Sequence, residues 1–207
     1  MAEKYIAENE ELMKEWDWKA NAGLDPNTLT FGSNKKVWWI CSKGHKWSTA
    51  IRDRIYRNFK CPYCYGRKVL TGFNDLATTH PKLAKEWNYE KNKTLLPSQV
   101  KAGSNKKVWW ICSKGHEWLA KIGLRTYLKR NCPYCNHHTT LAGFNDLATT
   151  NPELAKEWNY EKNAPLLPTQ VFEKSTKTVW WICPKGHEYK RPIYNRRVGS
   201  GCPVCSK

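Results

Sequence analysis

One ligand pattern, C-x3-H followed by C-P-x-C, occurs three times in this chain and restricts its fold more than any other feature. Cys41, His45, Cys61 and Cys64 form the first set. Cys112, His116, Cys132 and Cys135 form the second, and Cys183, His187, Cys202 and Cys205 the third. The gap from the histidine to the next cysteine is 15, 15 and 14 residues. All nine cysteines are used, an odd number that cannot pair fully into disulfides within one chain. Three thiolates and an imidazole in two close pairs suit tetrahedral Zn²⁺. An iron–sulfur cluster is the competing reading, since it also prefers cysteine. Four protein ligands leave no position for water, so the expected cofactor is three structural Zn²⁺ ions. Gly44, Gly115 and Gly186 precede the ligand histidines, where a tight turn calls for positive φ.

The ligand sets belong to a longer repeat. Lys35-Lys36-Val37-Trp38-Trp39-Ile40-Cys41 returns 71 positions later at Lys106–Cys112, and after another 71 as Lys177-Thr178-Val179-Trp180-Trp181-Ile182-Cys183. Gly72-Phe73-Asn74-Asp75-Leu76-Ala77-Thr78-Thr79 matches Gly143–Thr150 without change, and Leu83-Ala84-Lys85-Glu86-Trp87 matches Leu154–Trp158. The expected units are 1–71, with a diverged N-terminal part, 72–142, and 143–207, truncated after its last ligand pair. At about 70 residues each, an apolar core alone is marginal, and a metal is a common staple.

The local pattern predicts an α+β unit. Val37-Trp38-Trp39-Ile40-Cys41 reads as a strand, and the segment after His45 as its antiparallel partner, with the first ligand pair at the hairpin tip. Period 2 places Val37, Trp39 and Cys41 on one face, so one Trp of each pair enters the core. Thr79–Trp87 reads as a short helix with Pro81 in its first turn, and Trp16, Trp87 and Trp158 as core residues of such helices. Asp75 and Asp146 read as caps of a shorter preceding turn.

These residues resemble the tandem zinc-ribbon or treble-clef zinc-finger repeats of bacteria and their phages. The motifs that carry the likeness are V-W-W-x-C-x-x-G-H-x-W, I-x-x-R and C-P-x-C, preceded by D-L-A-x-x-x-P-x-L-A-x-E-W, and they cover nearly the whole chain. The first copy lacks D-L-A and the helix proline, and the third has Tyr189 where Trp47 and Trp118 stand. In a full treble clef the last ligand pair opens a helix, which implies that the third copy is ribbon-like or truncated. Such arrays often accompany restriction-type or repair-type nuclease domains, and the role this implies is DNA binding.

The charge agrees with that role. Thirty-five Lys and Arg against 18 Asp and Glu give a formal +17, about +14 once thiolates and zinc are counted. Candidate phosphate contacts are Lys35, Lys36, Lys106, Lys107 and Lys177, with Arg54, Arg125 and Arg196 of I-x-x-R. The same arginines could instead pair with Glu15, Glu86 and Glu157. More basic residues, among them Arg57, Lys60, Lys129, Arg130 and Arg197, lie around C-P-x-C, and aromatics among them could stack on unpaired bases. His80, His137 and His138 occur in single copies and read as surface residues. The expected partner is nucleic acid, with DNA favoured over RNA. The alternative is an adaptor or inhibitor in host–phage conflict that contacts a nuclease or another acidic protein. No G-x-S-x-G, Walker loop, H-E-x-x-H or paired-carboxylate centre is legible, so no enzyme is expected. The polar start and the reduced-thiol pattern lead to a cytoplasmic expectation, with no membrane association.

Overall fold

The structure is a computed structural model that describes residues 4–206. It forms two compact units: Met1–Val108 with Lys121–Thr126, and Trp109–Ala120 with Tyr127–Lys207. The second repeat is thus divided, its hairpin tip falling in one unit and its following helix in the other. No helix among the described residues is long and apolar enough to cross a membrane.

Each repeat contributes one two-stranded antiparallel hairpin. The strands are β1 (Lys36–Ile40) with β2 (Lys46–Ala50), β3 (Lys107–Ile111) with β4 (Glu117–Lys121), and β5 (Thr178–Ile182) with β6 (Glu188–Pro192). In the first register Trp38 faces Ser48 and Trp39 faces Trp47, and in the third Trp181 faces Tyr189. Alternation sends Trp39, Trp110 and Trp181 fully inside, whereas Trp38 keeps 44% of its surface. An indole can serve as core here because its N–H finds an acceptor. Trp39 donates to the Thr49 carbonyl at 3.4 Å, Trp110 to Ala120 at 3.2 Å and Trp181 to Arg191 at 2.9 Å.

Asp75 caps a short helix, Leu76–Thr79, and the helix expected over 79–87 follows His80 with Pro81 in its first turn but ends at Ala84, before Trp87. A residue before proline is driven out of the α region, and His80 sits at φ −137° and ψ 61°. Asn151 makes the same break before Pro152–Ala155. Trp16 and Trp158 are core residues as expected, but they lie beyond the helices, bridging antiparallel to Trp39 and Trp181. Their rings meet edge to face at 5.8 Å and 5.6 Å. The segment therefore adds a short third edge to the sheet, with the Ile40 N–H donating to Glu15 and the Ile182 N–H to Glu157, both at 2.7 Å. Asn21 and Asn163 clasp the outward tryptophans from that edge. Each amide accepts from the N–H and donates to the carbonyl of Trp38 or Trp180, all at 2.8 Å.

A helix of five or six residues follows each hairpin: Ile51–Tyr56, Ile122–Thr126 and Ile193–Arg197. Its first residue is fully buried in every copy. The second ligand pair comes next, on a single turn. The N–H of Tyr65 bonds the Cys61 carbonyl, Asn136 bonds Cys132, and Ser206 bonds Cys202, each at 3.1 Å. The third copy therefore closes its second pair as the other two do. In the first two copies the turn does not continue into a helix among the described residues.

Candidate metal centres and basic surface

The first ligand pair of each site sits where the hairpin reverses. Cys41 follows β1, its N–H donates to the His45 carbonyl at 3.1 Å, and the Gly44 N–H returns to the Cys41 carbonyl at 2.8 Å. That turn needs left-handed backbone at the glycine, and φ is 78°, 79° and 82° at Gly44, Gly115 and Gly186. The helix after the hairpin then carries the second pair back to the tip.

The ligand atoms lie at the separations one tetrahedral ion requires. Bond lengths usual for zinc put sulfur about 3.8 Å from sulfur and about 3.5 Å from nitrogen along the tetrahedron edges. Cys41 and Cys64 Sγ are 3.9 Å apart, and His45 Nδ1 is 3.5, 3.7 and 3.3 Å from Cys41, Cys61 and Cys64. The second site repeats these values at 3.9, 3.5, 3.7 and 3.3 Å. The third gives 3.8 Å between sulfurs and 3.5, 3.8 and 3.3 Å to His187 Nδ1. All three histidines present Nδ1 to the cysteines. By themselves the thiols of a site oppose one another's ionisation. Burial and the two neighbouring sulfurs push Cys64, Cys135 and Cys205 up to about 11. Burial also opposes ionisation of Cys183, but the N–H groups of His187 and Lys185 outweigh it and draw the thiol down to about 7. A dication removes this conflict by holding all three sulfurs as thiolates. The donor sets, Cys3His in each repeat, are closed sites for three structural zinc ions.

A comparison with protein families matches residues 12–67, 83–138 and 154–207 to one family, described as "Probable Treble clef zinc finger domain". The chain belongs to this family. No curated protein matches it. The three treble-clef matches each span a hairpin, its following helix and both ligand pairs.

Aromatic rings cover the first two treble-clef sites. The His45 ring lies 5.8 Å from Tyr63 and 4.2 Å from Phe73, and His116 lies 5.7 Å from Tyr134 and 4.1 Å from Phe144. Phe73 and Phe144 come from the G-F-N-D segment that opens the following repeat. Its asparagine holds the preceding knuckle: Asn74 Nδ2 donates to the Tyr63 and Lys68 carbonyls at 2.8 and 2.9 Å, and Asn145 to Tyr134 and Thr139 at 2.7 and 3.1 Å. Its aspartate caps the next helix. Asp146 accepts from the Gly143 N–H at 2.7 Å, the Thr149 N–H at 3.0 Å and the Thr149 hydroxyl at 2.7 Å. The sequence signalled the caps. The strap role of Phe and Asn went unread, although the segment's identity in both copies was its signal.

The side chains of Arg54, Arg125 and Arg196, expected at the surface as phosphate contacts, are turned inward. I-x-x-R puts the arginine on the helix face of the buried isoleucine three residues earlier, and the guanidinium follows it inward. Arg54 pairs with Glu15, Arg125 with Glu86 at 2.7 Å, and Arg196 with Glu157. The cations of Arg54 and Arg196 also lie 5.8 and 5.7 Å from the Trp39 and Trp181 rings. In the third repeat Tyr189 adds a hydrogen bond to Glu157 at 3.3 Å from the place Trp47 fills in the first. Lys35, Lys36, Lys106, Lys107 and Lys177 are all exposed. So are Lys43, Lys114 and Lys185 in the C-x-K-G-H turn, an additional recurring set legible from the threefold register alone. Lys43 and Lys114 stand 5.4 Å from the Phe73 and Phe144 rings.

Proposed function

We propose that the chain is a non-catalytic nucleic-acid-binding protein, with DNA the favoured target, and that it contacts the phosphate backbone through surface lysines. One observation carries this reading. The formal charge is +17, and eight lysines placed before the hairpins and in the C-x-K-G-H turns are exposed and free of ion pairs among the described residues. Lys35, Lys36, Lys43, Lys106, Lys107, Lys114, Lys177 and Lys185 are the contact candidates. The arginines drop out because their side chains are turned inward onto Glu15, Glu86 and Glu157. Zinc sites whose four positions are all filled by protein offer no place for a substrate, which supports a structural role for the metal. Repetition adds avidity, since a second repeat binds at high effective concentration once the first is engaged.

The test is binding of the zinc-loaded protein to labelled duplex DNA, single-stranded DNA and RNA across a salt series. We expect log affinity to fall steeply with log salt, by about 0.9 per phosphate contacted on duplex. Absence of binding at low salt would overturn the reading and leave an acidic protein as the partner to seek.

A further inference from the structure

Beside the second knuckle lies a cleft of about 580 Å³, within the range of small-ligand sites. Lys129 and Arg130 line it from the loop after the helix, and His138 from the turn after Cys135. Asn131 and Asn136 add amides, and Leu128 an apolar wall. No carboxylate lines the cleft, and none of its three basic side chains is in an ion pair among the described residues. Unlike the other unpaired basic side chains named above, these three line one concavity.

Two further observations separate this cleft from a chance cluster. Lys129 sits at φ 49°, a left-handed conformation that strains a long side chain, while the matching residue of the first repeat is Asn58 at φ 50°, which tolerates it. The first repeat has the same turn, where the Arg67 cation lies 4.9 Å from the Phe59 ring at the position of Arg130. His138 and Thr139 donate their N–H groups to the Pro133 carbonyl at 2.8 and 3.2 Å, and Arg67 and Lys68 donate to Pro62 at 2.7 and 3.0 Å. Basic side chains thus hang from the same turn in both copies, next to Lys60 in the first.

We infer that this cleft seats one nucleotide of a nucleic-acid strand. Lys129 and Arg130 take its phosphate, and Leu128 with the two asparagine amides takes its base. Phosphate is favoured over a peptide carboxylate because guanidinium, ammonium and amide donors converge on a pocket with an apolar wall, which suits a base and its phosphate together. The inference rests on the nucleic-acid reading above and adds a located site to it.

The experiment compares Lys129→Glu/Arg130→Glu with Lys82→Glu/Lys85→Glu, an equal charge change at exposed lysines that are not among the cleft's lining residues. Zinc content and near-ultraviolet circular dichroism confirm folding of both, and Leu128→Ala supplies a variant without charge change. Binding of labelled single-stranded and duplex oligonucleotides is measured across salt, with adenosine monophosphate, inorganic phosphate and polyglutamate as competitors. We expect the cleft variant to lose at least about tenfold in affinity and about two units of salt slope, with the control within about twofold. Leu128→Ala should weaken the single strand by about fivefold. The nucleotide should compete better than phosphate. Equal losses in the two charge variants would overturn the cleft while leaving the nucleic-acid reading in place. Polyglutamate competing as well as the oligonucleotide would give the cleft to an acidic protein. No binding of any oligonucleotide by the wild type would remove both.

Discussion

The second and third zinc sites use the same ligands in the same order, yet they are covered differently. His116 lies between Tyr134 and Phe144, and Asn145 ties the strap to the carbonyl between the second pair of cysteines. In the third site Val204 stands where Tyr134 does, 54% exposed, and no aromatic ring lies against His187 among the described residues. The ligand chemistry decides that each site holds zinc. The shell of side chains around it decides how readily water or a competing ligand arrives. The strap makes a second difference, because it joins the second site to the start of the third repeat.

Loss of a ligand gives the largest effect and tests that second difference. Structural zinc supplies about 10–16 kcal/mol of apparent binding free energy to a small domain. Cys132→Ser and Cys202→Ser should each lose one of three zinc equivalents and the ordered Trp signal of their own repeat. Cys132→Ser should also increase amide exchange at Asp146 and Thr149, whose cap is anchored through the strap. Cys202→Ser should leave the second repeat protected. Equal spread of exchange from both variants would break the comparison.

The buried ion pair should not distinguish the repeats, and so serves as a control on it. Arg125→Ala and Arg196→Ala each leave a partly exposed glutamate without its cation, at a cost of about 2 kcal/mol, between the values for exposed and buried pairs. The two should agree within about 1 kcal/mol in urea unfolding, with three zinc ions retained. Disagreement would mean that Tyr189, which also bonds Glu157, carries part of the third pair.

Asp146 tests the strap's far end. Burial would raise its carboxyl, but the donors from Thr149 and Gly143 outweigh it and hold it below the usual carboxylate range. A depressed folded value means the contribution is complete above the unfolded pKa of about 3.9 and fades only as pH falls through the folded one. Asp146→Asn should therefore cost about 2 kcal/mol, and that cost should be flat from about pH 5 to 8. A cost that shrinks on going from pH 8 to 5 would place the folded pKa above the usual value.

Most of the metal chemistry was legible because ligand spacing and residue type are local properties. The hairpin, the inward Trp of each pair and the aspartate caps follow from period and propensity in the same way. The sequence misled where a choice depended on what a side chain meets far along the chain. Arg54 suited either a phosphate or Glu15, and the packing of Ile51 decided for Glu15. Trp87 looked helical because it is four residues from Leu83, but the helix ends at Ala84 and Trp87 lies beyond it. Nothing local in the sequence shows that Phe73 and Phe144 lie on the previous repeat's histidine.

The smallest predicted effect bears most directly on the difference in cover. With zinc-loaded protein and an excess of a coloured chelator at neutral pH, release should proceed in resolved phases, the fastest belonging to the third site. Ring contacts of this kind contribute about 0.5–1.5 kcal/mol, which corresponds to about two- to tenfold in rate if the cover must open before a ligand dissociates. Val204→Tyr should slow the fastest phase by that factor and leave the others unchanged. Phe144→Ala should speed the second site toward the third, and Lys114, which stands over that ring, should add little once the ring is gone. If Phe144→Ala leaves all phases unchanged, the cover does not limit access, and the two sites differ only in sequence. If it speeds release while Val204→Tyr has no effect, the strap phenylalanine alone protects the metal, and the tyrosine between the paired cysteines is an ordinary surface residue.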